Sequence, residues 1–221
     1  MSRSVTQALA AWLAAGENRI GELVILGQYE LRHYLDASIA PNGIAESLSS
    51  HTVPEAAREI AYYDTNGNYR PLKTAPTLRR SWRLTLSTIG QLHEALDCFY
   101  PGMLSARLAF QQGRLAVTPL RSTLERQSGM YAITRKITDS EANGLIGSFC
   151  RTDGGCLKTI LWPIAPRVSI TSLQAEKFDP LTHHSNQPCI PLLCAEACNL
   201  VVAKAREALK QHAAPLPPPA P

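Results

Sequence analysis

The stretch "FCRTDGGCLKTILWP", residues 149–163, and the later "CIPLLCAEACNL", residues 189–200, hold five of the chain's six cysteines. Cys150 and Cys156 bracket five residues, Cys194 and Cys198 bracket three, and residues 157–193 separate the two pairs. Gly154-Gly155 lies inside the first pair. Without Cβ atoms the backbone can curl tightly there, so that Cys156 turns back toward the centre that Cys150 addresses. The run "PLLCAEACNLVVAKAREALKQH", read as one helix from Pro191 to about residue 212, places Cys194 and Cys198 at i and i+4. Their Cβ atoms would then stand about 5–6 Å apart on one face. Cys194 would fall near the first turn, where open amide N–H groups and the helix dipole favour a thiolate. The predicted layout is a loop and a helix, each offering two thiolates.

Buried thiols are a common fate of cysteine, but five of six between residues 150 and 198 beside a Gly-Gly turn is not core scatter. Disulfides need an oxidising compartment. The opening "MSRSVTQALAAWLAAGENR" has an apolar run at the short limit for a signal peptide. It reads better as a helix with Ser4 or Thr6 near its N-cap and Gly16 as its C-cap. The expected compartment is therefore the cytoplasm, and metal binding is left. Structural zinc prefers pairs two to four residues apart, which suits C-x5-C poorly. A cubane, whose four irons each take one thiolate, suits it well. The leading expectation is a [4Fe–4S] cluster on Cys150, Cys156, Cys194 and Cys198, with zinc as the alternative.

The remaining composition narrows the field. Hydrophobic residues make up 45% of the 221 and charged residues 18%, with a net charge of +4; the mean hydropathy is −0.10. That is ordinary globular usage. No apolar run approaches the roughly 20 residues needed to cross a bilayer, so no membrane association is expected. Basic residues are scattered apart from "TLRRSWR" at 77–83, and no nucleic-acid partner is expected.

Around the cysteines the chain alternates in texture. "GELVILGQYELRHYLD" (21–36) holds two β-like runs meeting at Gly27-Gln28. "VPEAAREIAYYD" (53–64) predicts a helix with Thr52 as N-cap, followed by the turn signal "DTNGNYRP". "SWRLTLS" (81–87) alternates as a half-buried strand does. "STIGQLHEALDCFYPG" (87–102) puts Ile89, Leu92, Leu96 and Phe99 on one helical stripe. "SARLAFQQGRLAVTPL" (105–120) predicts a hairpin turning at Gln112-Gly113. Further on, "PLRSTLERQSG" predicts a helix, "MYAITRKI" a strand, and "TDSEANGLIGSFC" a helix capped by Thr138 and ending with Cys150 in its last turn. The expected fold class is α+β in two small domains, residues 1–117 and 118–212, the second built around a metal cluster. A Pro-rich tail, residues 213–221, is expected to lack packed structure.

No phosphate-cradling glycine loop, Ser-centred nucleophile motif or carboxylate pair occurs in the first domain. Cys98, beside Leu92 and Leu96, is expected in the core, Cys189 is ranked as a non-ligand, and His183-His184 as exposed loop. Arg135, Lys136, Arg151 and Lys158 surround the cysteines. Arg135, Arg151 and Lys158 are the candidates to offset a cluster's charge or to hold the carboxylates of a tetrapyrrole.

The order C-x5-C, a long gap, then C-x3-C resembles the arrangement that sulfite and nitrite reductases use for the [4Fe–4S] cluster beside siroheme. "GMYAITRKITDSEANGLIGSFC", "CLKTILWP" and "CAEACN" look closer still to the iron–sulfur domain at the C-terminus of multi-domain CbiX-like sirohydrochlorin chelatases. The preceding segment resembles their small stabilising domain. A chelatase half would carry a His-Gly-Ser-type metal site, and none occurs in this sequence. The resemblance therefore implies a cluster-binding redox or accessory protein with a redox or chelatase-type protein partner in tetrapyrrole metabolism. An enzyme with a porphyrinoid against its cluster is the runner-up, and a zinc-stabilised interaction module is third. The segment "LWPIAPRVSITSLQAEKFDPLTHHSNQP" reads as a loop-rich cover with one short strand, "RVSIT", so no tetrapyrrole ligand is expected on the isolated chain.

Overall fold

Ser4 starts the first helix as its sequence predicts. Its hydroxyl accepts from the Gln7 N–H while the Gln7 side chain accepts from the Ser4 N–H, a capping box that opens α1 (Val5–Ala14). The computed structural model describes residues 4–37, 48–151, 155–166 and 188–212. The expected strand "RVSIT", His183-His184 and the Pro-rich tail lie outside them. The described chain forms two units. The first comprises the residues up to Leu115 with Cys156–Thr159 and residues 188–193; the second comprises 116–151, Gly155, 160–166 and 194–212.

The first unit is built on a mixed sheet. β1 (Arg19–Ile20), β2 (Leu23–Leu26) and β3 (Glu30–His33) form an antiparallel meander, with Leu26 opposite Glu30 across the Gly27 turn. After the short α2 (Tyr34–Ala37) come β4 (Ser49–His51), α3 (Ala56–Tyr62) and β5 (Trp82–Thr85). β5 pairs antiparallel with β3 and parallel with β4, and β7 (Cys189–Ile190) adds to β1 in parallel, giving the order β4-β5-β3-β2-β1-β7. Helices α4 (Ile89–Phe99) and α5 (Met103–Gln111) complete the unit. Its core joins Leu9 and Trp12 of α1, Leu23 and Leu31 of the sheet, Trp82, and the α4 stripe Leu92, Leu96 and Phe99. Cys98 packs against this core, and burial pushes its thiol pKa up.

Two expectations fail in this unit. Thr52 does not cap α3, which begins after Glu55 without a side-chain cap; the 3₁₀-like bond from Ala57 N–H to the Pro54 carbonyl starts it instead. The first arm of the predicted hairpin over 105–120 belongs to α5. Leu104, Arg107 and Leu108 are its buried residues, at i, i+3 and i+4, and Gly113 at φ +64° is its left-handed stop rather than a β-turn.

A buried polar cluster gathers around Glu22, in the turn between β1 and β2. Both carboxylate oxygens of Glu22 accept from the Leu78 N–H at 3.1 Å, and Glu22 pairs with Arg70 at 3.4 Å. His33 Nε2 lies 3.5 Å from it. The Glu22 N–H donates to Tyr100 Oη at 2.8 Å. Gly21 makes that bond possible: at φ +53°, a Cβ there would sit 2.5 Å from Tyr100 Oη. Gly21→Ala is therefore expected to cost about 1–3 kcal/mol through backbone strain and displacement of the Tyr100 ring, read as a lowered denaturation midpoint.

The second unit is mainly helical. α6 (Leu120–Glu125) follows Pro119; α7 (Asp139–Leu145) opens with a Thr138–Glu141 capping box; α8 (Asn199–His212) closes the described chain. The strand expected over "MYAITRKI" is instead a 3₁₀ segment, Gly129–Lys136. Buried Thr134 donates to the Tyr131 carbonyl at 2.8 Å, and Arg206 donates to the Met130 carbonyl at 3.0 Å. The first bond is local and the second comes from α8, and each occupies a carbonyl that a strand would have offered to a neighbour. The observed class is α+β.

Candidate metal centre

Cys150 ends α7 as predicted, but through a π-helical turn, Ile146–Cys150, that widens the last coil of the helix. Such turns recur at functional sites. Its thiol is buried in the second core with Leu124, Ile146, Trp162, Ala197 and Val201.

The second pair departs from the predicted helix. Leu192 and Leu193 are buried, and β8 (Leu193–Cys194) runs beside β6 (Thr159–Ile160). The Thr159 N–H donates to the Leu192 carbonyl at 2.7 Å and the Leu161 N–H to the Cys194 carbonyl at 3.0 Å. A short apolar run after a proline serves a strand as well as a helix, and here pairing decides it. Cys194 and Cys198 are therefore not an i,i+4 pair on one helix. Cys194 ends a strand, and Cys198 stands immediately before α8, its carbonyl accepting from the Val202 N–H at 3.2 Å. The N-terminal dipole that the sequence assigns to Cys194 acts at Cys198 instead.

The turn between them is fixed at several points. The Thr118 N–H donates to the Ala195 carbonyl at 2.9 Å, Thr123 Oγ1 to Glu196 at 3.3 Å, and Arg126 forms an ion pair with Glu196. Cys194 and Cys198 both pack, half-buried, against the core that contains Cys150. Three of the four predicted ligands thus meet one apolar core. Trp162, 3% exposed, donates its indole N–H to Cys194 Sγ at 3.2 Å. A buried indole needs an acceptor, so the Trp in "LWP" is the residue whose type signals this contact in the sequence.

Cys156 and Cys189 belong to the first unit. Cys156 Sγ lies 2.9 Å from Thr74 Oγ1. Cys189 stands in β7 in register with Arg19. Arg135 is exposed and donates to the Gln127 carbonyl at 2.6 Å; Lys136 is exposed; Arg151, next after Cys150, and Lys158, two residues beyond Cys156, are half-buried.

All six cysteines are thiols rather than disulfides. Among the described residues no three His, Cys, Asp or Glu side chains close around a point as a single metal ion requires. A four-iron cluster asks for something else, one thiolate per iron from separate directions. Thiols lining an apolar core, one with an N–H donor on its sulfur, fit that demand. A cavity of about 550 Å³ in the first unit is lined by Tyr63, Asp64, Arg79 and Arg80, and none of the cysteines lines it.

Residues 112–207 match a 4Fe–4S iron–sulfur cluster binding domain, and residues 5–111 match the DR2241 stabilising domain. The two matches follow one another along the chain, the stabilising domain first and the [4Fe–4S] cluster binding domain after it. Among solved structures it is similar to DR2241 from Deinococcus radiodurans, with 29% identity and a TM-score of 0.72 over 94% of this chain. That protein is described as multi-domain, structurally similar to chelatases, with two additional novel domains. The match spans 41% of its length. No curated protein matches the chain. No helix among the described residues is long and apolar enough to cross a membrane.

Proposed function

We propose that this protein is a redox or accessory protein that holds its cluster through Cys150, Cys156, Cys194 and Cys198 and serves a chelatase-type partner in tetrapyrrole metabolism. The observation that carries the ligand set is the meeting of Cys150, Cys194 and Cys198 at one core inside the matched iron–sulfur domain. Cys156, six residues beyond Cys150 after the Gly-Gly step, is the fourth. When bound, the cluster supplies one-electron chemistry. The chain's own contribution is to keep the thiolates in a mostly apolar surround, to donate from Trp162 to Cys194, and to place the α8 N-terminus at Cys198. Arg135, Arg151 and Lys158 supply positive charge against the anionic centre. The tetrapyrrole link rests on the similarity to a chelatase-like protein.

An accessory role predicts that the anaerobic holo-protein shows no saturable change in its absorption bands when titrated with sirohydrochlorin. Micromolar saturation that disappears in Arg135→Ala or Arg151→Ala would replace this proposal with an enzyme acting on a porphyrinoid.

A further inference from the structure

Thr74 lies in the stabilising domain, far along the sequence from the cysteine-rich stretches. It is 4% exposed, and its hydroxyl meets Cys156 Sγ at 2.9 Å. Its carbonyl accepts from the Leu157 N–H at 2.8 Å, and Leu157 is buried in the first core. Thr74 therefore grips the Cys156-Leu157 segment twice, once by side chain and once by backbone. The loop that carries it is itself held. Arg70, 2% exposed at its side chain, donates to the carbonyls on both sides of Thr74, to Lys73 at 3.1 Å and to Ala75 at 2.7 Å. Arg70 is in turn paired with Glu22, and Lys73 Nζ donates to the Ala61 carbonyl at 3.1 Å. A buried ion pair, a rigid loop, a hydroxyl and a cysteine follow one another without a gap.

We propose that Thr74 donates a hydrogen bond to the Cys156 thiolate, positions that ligand and raises the cluster's reduction potential. This rests on Cys156 being a ligand. A ligating thiolate has no proton, so the hydroxyl must be the donor. Burial keeps water from replacing it. Reduction adds negative charge to the cluster and its sulfurs, and a hydrogen bond stabilises the more negative state more strongly, which moves the potential upward. Trp162 does the same for Cys194 from within the iron–sulfur domain. Thr74 is thus a positioning residue.

The test uses the full chain, prepared anaerobically, as wild type, Thr74→Val, Thr74→Ser and Cys156→Ala. Iron and sulfide are counted first, and the potential is then measured by EPR-monitored titration. Thr74→Val keeps the shape and the backbone bond but lacks the hydroxyl. It is expected either to hold a full cluster at a more negative potential or to lose iron, while Thr74→Ser behaves as wild type. Thr74→Val with full iron and an unshifted potential would overturn the inference, as would a Thr74→Ser that fails like Thr74→Val. Full iron in Cys156→Ala would overturn the ligand set itself, a separate failure.

Discussion

Cys198→Ala, prepared anaerobically, is expected to carry almost no iron, and Cys194→Ala the same. Each removes one thiolate from the core that also holds Cys150. A cluster ligated by one sulfur per iron loses a corner when one is lost. Because metal binding free energy is also folding free energy, the second unit is expected to lose several kcal/mol of stability as well. The loss should appear as an earlier melting transition and as faster proteolysis of the α6 to α8 region. Cys98→Ala is the control: its thiol packs against the first core, and iron content should stay at the wild-type level. Iron lost in Cys189→Ala but kept in Cys194→Ala would show that the ligands are misassigned.

Glu22→Ala is expected to be the most damaging single change in the first unit, by about 3–5 kcal/mol. It leaves the Arg70 guanidinium, already lowered in pKa chiefly by burial, without its carboxylate. It also strands the Leu78 N–H. Truncating one partner of a buried pair leaves an uncompensated charge, so Glu22→Ala with Arg70→Met should cost less than the sum of the two single changes. Denaturant unfolding of all three variants measures this. Additive losses would mean that the pair is not coupled.

The sequence carried the meander, β5, α4 and the Thr138 cap plainly, because each has a period or a capping residue of its own. Two of its errors of type share a cause. "LSARLAFQQG" has helical spacing at Leu104, Arg107 and Leu108, yet Gln112-Gly113 imitates a hairpin turn. "MYAITRKI" has β-like composition, yet Thr134 finds its partner three residues back. Both times a local signal with two meanings was decided by partners that the sequence does not display. The centre divides in the same way. Cysteine spacing pointed to a cluster, and the matched domain agrees. The helical pairing of Cys194 with Cys198 failed because β6 takes residues 193–194 into a ladder. Glu22, Arg70 and Thr74 left no mark in sequence, since their bonds join residues far apart along the chain.

Iron, acid-labile sulfide and zinc analysis of the full chain, purified without oxygen, tests the central claim most directly. The expected product is brown and dithionite-bleachable, with four iron and four sulfide per chain, as a 4Fe–4S domain requires. A colourless protein with one zinc per chain and no sulfide would contradict it.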